Sequence, residues 1–119
     1  MNPVNILIAA LGGQGGGVLA EWLVDAASRA GYPAQSTSIP GVAQRTGATT
    51  YYIEIFPAKT SGLGGRRPVM TLTPAPGFVD VVVASELLEA GRAMRWHRLR
   101  PDVLRARHRS TSSRRVWLA

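Results

Sequence analysis

Apolar side chains along this chain fall into short runs separated by glycine- and proline-rich breaks. Val4–Leu11 is nearly continuous in apolar residues between Pro3 and Gly12. Its length and β-branching predict a strand buried on both faces. Gly12-Gly13-Gln14-Gly15-Gly16-Gly17 then interrupts regular structure. From Val18 to Ala30, apolar residues recur at 18, 19, 22, 23, 26, 27 and 30. That is helical spacing, with Glu21, Asp25 and Arg29 four apart on the opposite face. Gly31 is placed to cap the helix, and Pro33 to stop it. Strand, glycine turn, helix and stop form the opening of a parallel α/β unit.

Ala34–Ser38 fits a short second strand, and 39–47 reads as a loop with two glycines and a proline. Ala48–Phe56, rich in β-branched and aromatic residues, predicts a strand. Tyr51 and Tyr52 alternate faces within it, so one is expected in the core and the other partly exposed. A polar loop, 57–68, leads to Val69–Leu72, which suits a short edge strand. Residues 79–84 predict another buried strand. Ser85–Ala90 begins a helix with Ser85 as its N-cap and Glu86 and Glu89 on a solvated face. The fold class expected is α/β: a Rossmann-like open, mainly parallel sheet with flanking helices, incomplete at its C-terminal end.

Composition narrows the chemistry. A chain of 119 residues with 45% apolar content is one domain or part of a larger one, with material for a real core. It has no cysteine. That excludes disulfides, cysteine zinc sites, thiolate-held iron–sulfur clusters and a cysteine nucleophile. Only two histidines occur, so a histidine-rich metal site is not expected. The apolar runs fall short of a membrane span and the start lacks a basic leader, so a cytoplasmic location is expected. The net charge of +7 is carried by one end of the chain. Residues 1–91 hold five basic and six acidic groups, while residues 92–119 hold nine arginines against Asp102.

A glycine turn between a buried strand and a helix brings backbone N–H groups and a helix N-terminus together, which suits a phosphate or another anion. A phosphate-binding P-loop is excluded, because Val18-Leu19 stand where Lys and Ser/Thr are required. Gly15-x-Gly17-x-x-Ala20 fits a dinucleotide fingerprint, but no acidic residue lies between Asp25 and Glu54 to hold a ribose. The alternative is a tight turn dictated by packing, with Gln14 either bonding a ligand or closing the turn. Arg45, beside Gln44, is the one basic residue between 30 and 58. It suits a carboxylate or phosphate contact, or an ion pair at a surface or subunit interface. No acid–base pair, triad or metal cluster can be assembled from the first 91 residues.

Three segments together carry a resemblance. Ile8–Ala20, with Gly12-Gly13-Gln14-Gly15, resembles the opening of the gamma-type domain of 2-oxoacid:ferredoxin oxidoreductases. Residues 38–48, with Ala43-Gln44-Arg45, are similar to that family's second signature. Val79–Val83 followed by Ser85-Glu86-Leu87-Leu88-Glu89-Ala90 is similar to its third. Within the family the resemblance comes nearest to the beta subunit of indolepyruvate ferredoxin oxidoreductase. It implies an accessory subunit in oxidative decarboxylation of an aryl 2-oxoacid with coenzyme A, giving an acyl-CoA, carbon dioxide and reduced ferredoxin. It also implies a partner alpha subunit that holds thiamine diphosphate, magnesium and the iron–sulfur clusters, with ferredoxin reached through the complex. The residues it assigns to cofactor contact are Gly12, Gly13, Gln14, Gly15, Gly16, Gln44 and Arg45, with no catalytic or metal-binding residue.

The resemblance covers residues 4–94, giving a partial gamma-type domain over 1–94 and an arginine-rich tail over 95–119. The tail has eight arginines and neither lysine nor glutamate. Out-of-frame reading of a GC-rich gene gives such composition, so a frameshift near codon 95 is one expectation and a genuine basic extension the other. Trp96 and Trp117 stand too far apart for an interleaved stacking surface, so nucleic acid is not an expected partner. The alternative functions are a self-contained nucleotide- or anion-binding module, or nucleic-acid binding through the basic tail.

Overall fold

The computed structural model describes residues 2–40, 48–97 and 117–118. The order of elements is β1 (Val4–Leu11), α1 (Gly16–Arg29), β2 (Ala34–Pro40), β3 (Ala48–Ile55), β4 (Val81–Ala84) and α2 (Leu87–His97). A two-residue strand β5 (Trp117–Leu118) pairs antiparallel with Val83 and Ala84 at the outer edge. The remainder of the arginine-rich tail beyond His97, and the loop holding Gln44 and Arg45, lie outside the described residues.

The expected α/β sheet with flanking helices is present, in the order β2-β3-β1-β4-β5. Its pairings correct the expectation of a mainly parallel sheet. Of the described pairs only β1–β4 is parallel; β1–β3, β2–β3 and β4–β5 are antiparallel. The physical reason is that β2 turns back directly into β3, and β3 takes the place beside β1. Helix α1 therefore joins two strands of the same direction with a reversed strand between them. Tyr52, Ile53 and Glu54 are consecutive and all buried, so β3 has the doubly covered pattern that reads as a parallel interior strand.

The two faces of the sheet carry separate cores. Ile8 and Ile53 meet Ala20 of α1, with Leu19, Leu23 and Val24 packed around them. On the other face Leu7, Ala9, Tyr52 and Val82 meet Ala93 of α2, with Ile39 and Ala90 alongside. Tyr52 is thus a core residue and Tyr51 partly exposed, as the alternation predicts. Helix α1 ends in a Schellman arrangement: Gly31 at φ 88° donates to Ser28 O, and Tyr32 N–H donates to Ala27 O. Its apolar stripe is wider than the sheet covers, and Trp22 stays 70% exposed.

The segment before β4 departs from the sequence reading. Val69–Leu72 forms no strand, because side chains of the sheet take its backbone groups. Thr71 N–H donates to Glu54 Oε2 at 2.6 Å, Gln35 Nε2 donates to Thr71 O, and Thr37 Oγ1 donates to Leu72 O, both at 2.7 Å. The polarity of the segment is inverted by this: its backbone faces the sheet, while Val69 is 98% exposed. Asn5, a polar residue in an apolar strand, is the buried hub beside it. Its Nδ2 donates to Phe78 O at 2.6 Å and its backbone N–H to Asp80 Oδ2 at 2.8 Å.

Candidate functional site at the glycine turn

Helix α1 covers one face of the sheet and α2 the other, although their preceding strands β1 and β4 are parallel neighbours. The chain leaves adjacent carboxyl ends toward opposite sides there. In open α/β sheets that point is where a crevice forms and ligands bind. The glycine turn 12–15 occupies one side of it, and Ser85-Glu86 the other.

The five glycines of the run have different physical duties. Gly13 and Gly15 take φ of 78° and 80°, a region costly for residues with a Cβ, yet a Cβ at either would meet nothing within 4 Å. The space over them is open. At Gly16 the reason is contact: a Cβ would lie 2.8 Å from Ala10 Cβ and 3.0 Å from Tyr51 Cε2. At Gly17 it would lie 3.2 Å from Tyr51 Oη. These two let the first turn of α1 settle on the Tyr51 ring. Gly12 is exposed in the turn itself.

Gly15 caps α1 without a side-chain hydrogen bond, and no acidic residue sits in the first turn. No acidic side chain of the helix's own first turn compensates the positive end of its dipole, which favours an anion at the turn. Gln14 is held by protein partners. Its Oε1 accepts from Leu11 N–H at 3.0 Å and from the Ser85 hydroxyl, and its Nε2 donates to Glu86 Oε1 at 3.3 Å. The side chain closes the turn onto the β4–α2 junction.

Ser85 was expected to cap α2, and its hydroxyl instead bonds Gln14. Glu86 and Glu89 were expected on a solvated face. Glu86 is partly buried as Gln14's partner, and Glu89 is buried, accepting from Arg92 Nη1 at 2.9 Å. Sequence reasoning missed Ser85 and Glu86 as neighbours of the glycine turn. Their position at the end of a strand beside β1 was the available signal.

The second loop shares this edge by its flanks. Ala48 lies opposite Leu11, and Pro40 opposite Thr49, so the chain enters and leaves residues 41–47 at the end of the sheet where the glycine turn begins. Gln44 and Arg45 themselves are outside the described residues. At the other end of the sheet, burial lifts the Tyr52 phenol above its ordinary pKa. The Thr71 hydroxyl acts against that shift, and the charges of Glu54 and Asp80 add to it. Among the described residues no helix is long and apolar enough to cross a membrane.

These features define an α/β domain with an open glycine turn at the carboxyl edge of its one described parallel strand pair. The chain matches the model of the pyruvate ferredoxin/flavodoxin oxidoreductase family over residues 5–104, and it belongs to that family. The match runs past Met94, where the sequence resemblance ends, to residue 104. Membership places the chain among the components of 2-oxoacid:ferredoxin oxidoreductases, with a partner in a multi-subunit enzyme. No curated protein and no solved structure matches it.

Proposed function

We propose that the chain is the accessory subunit of an oxidoreductase for an aryl 2-oxoacid of the indolepyruvate type. In the overall reaction the bond between the carboxylate and the oxo carbon breaks and carbon dioxide leaves. The acyl carbon is oxidised and joined to the sulfur of coenzyme A, and two electrons pass to ferredoxin. The family match over residues 5–104 supports the oxidoreductase subunit, and the resemblance of the three sequence signatures supports the indolepyruvate type. Thiamine diphosphate with magnesium and the iron–sulfur clusters belong, on this reading, to the alpha subunit. A chain with no cysteine has no thiolate with which to hold a cluster.

The glycine turn supports a contribution of this chain to coenzyme A binding. A phosphate group fits a turn whose Gly13 and Gly15 leave open space and whose helix carries neither cap nor acid in its first turn. Gln44 and Arg45, on the loop entered from the same edge, are proposed to complete the contact. Co-expression with a thiamine- and cluster-bearing alpha subunit tests the reading. The two chains should co-purify and reduce ferredoxin with indolepyruvate and coenzyme A, and this chain alone should give no turnover. Turnover by the purified chain alone, or failure of the chains to associate, overturns it.

A further inference from the structure

We propose that Gln14 is a positioning residue, a latch that holds the glycine turn to the start of α2 so that both turns at the carboxyl edge act as one body. The backbone of the turn does not fix its own shape, because glycine populates far more conformations than other residues and four of residues 12–15 and 16 flanking Gln14 are glycine. Gln14 is the one side chain in the run, and it reaches residues 71 and 72 positions away. Its two ends do different things. The carbonyl oxygen accepts from the last strand residue, Leu11, and from Ser85, while the amide nitrogen donates to the Glu86 carboxylate.

Only a primary amide of this length meets all three demands. A carboxylate at position 14 would keep the two acceptor roles but set a second negative charge against Glu86. An apolar side chain would keep none of the three bonds. Asparagine lacks one methylene of reach. The latch ties the first sequence signature to the third. That the turn so positioned serves the oxidoreductase site rests on the functional reading above; the latch itself does not.

The test uses the full chain and native-state hydrogen exchange at the amides of residues 11–18, with Gln14→Glu, Glu86→Gln and the double variant, at pH 8 and pH 5. At pH 8, Gln14→Glu should speed exchange there by about fivefold, the scale of one lost hydrogen bond. At pH 5 the two facing carboxylates can share a proton, and most of the protection should return. The double variant restores one amide and one carboxylate, and should match the wild type at both pH values. Gln14→Met, which preserves length without polar atoms, should show the fast exchange at both. Urea midpoints of all four variants separate local release from loss of the fold. Wild-type protection in Gln14→Glu at pH 8, or a double variant no better than Gln14→Glu, overturns the proposal. Because exchange is read on the chain alone, its outcome is independent of whether an alpha subunit is captured.

Discussion

The Tyr52 hydroxyl donates to Asn5 Oδ1 at 2.9 Å, a buried bond between neighbouring strands of the sheet. Asn5 Oδ1 can only accept, so the phenol proton is committed to it. On its other side the phenol oxygen meets Thr71 Oγ1 at 3.3 Å, and Thr71 also lies 3.2 Å from Glu54 Oε2. A chain of polar groups thus runs under the inverted segment, from β1 through β3.

Tyr52→Phe leaves Asn5 Oδ1 buried without its donor. Denaturant unfolding should show a loss of about 1–3 kcal/mol. The wild-type phenol has a pKa raised above its ordinary value near 10. Its contribution is therefore full below the unfolded-state pKa and is lost as pH rises through the folded-state value. Stability of the wild type should decline above about pH 10, and that part of the decline should vanish in Tyr52→Phe.

Two ion pairs on the two helices should separate cleanly. Asp25 and Arg29 are both exposed, at 2.7 Å, and Arg29→Met should change stability by less than about 0.5 kcal/mol. Glu89 is buried against a half-exposed Arg92, so Arg92→Met strips a partner from a carboxylate that water reaches poorly. Thermal unfolding of the two variants side by side should place Arg92→Met well below Arg29→Met.

Alanine at two glycines should fail for different reasons. Gly16→Ala collides with Ala10 and the Tyr51 ring, and should cost about 1–3 kcal/mol before a partial offset from helix propensity. Gly13→Ala collides with nothing, and its cost of about 1–2 kcal/mol comes from the positive φ alone. D-alanine at position 13, placed by semisynthesis, should recover the loss; at position 16 it should not.

Trp22→Ala should alter the stability of the chain alone by less than about 0.5 kcal/mol, because 70% of the residue is in water. A urea midpoint shifted far beyond that would mean the ring is packed in solution.

What the chain discloses by itself follows from how local each property is. The strand–turn–helix opening was legible because a run of apolar residues, a glycine block and a helical period are all written within 30 residues. Strand direction was not, since an apolar run has the same appearance either way up, and it takes the pairing of Val4 with Ile55 and of Leu11 with Ala48 to reveal that β3 is reversed. Glu89 looked solvated because acidic residues at a helix start usually are, and its burial depends on how α2 lies on the sheet. At the candidate site, the glycines were readable from sequence, but the partners of Gln14 stand 71 and 72 residues away. Val69–Leu72 reads as an edge strand because the side chains that take its backbone groups, Gln35, Thr37 and Glu54, are distant in sequence.

Placing β1 in the middle of the sheet has a consequence for synthesis. As the chain is made, β1 has no neighbour in the sheet until β3 emerges, and its contacts with the region of Asp80 span 75 residues. At ordinary elongation rates the second edge of β1 stays unpaired for roughly 4–15 s. During that interval helix α1 can cover only the Ile6 and Ile8 face of the strand, because Leu7 belongs to the other core. Strand order therefore makes the pairing of β1 with β4 a late, long-range event in the folding of this sheet.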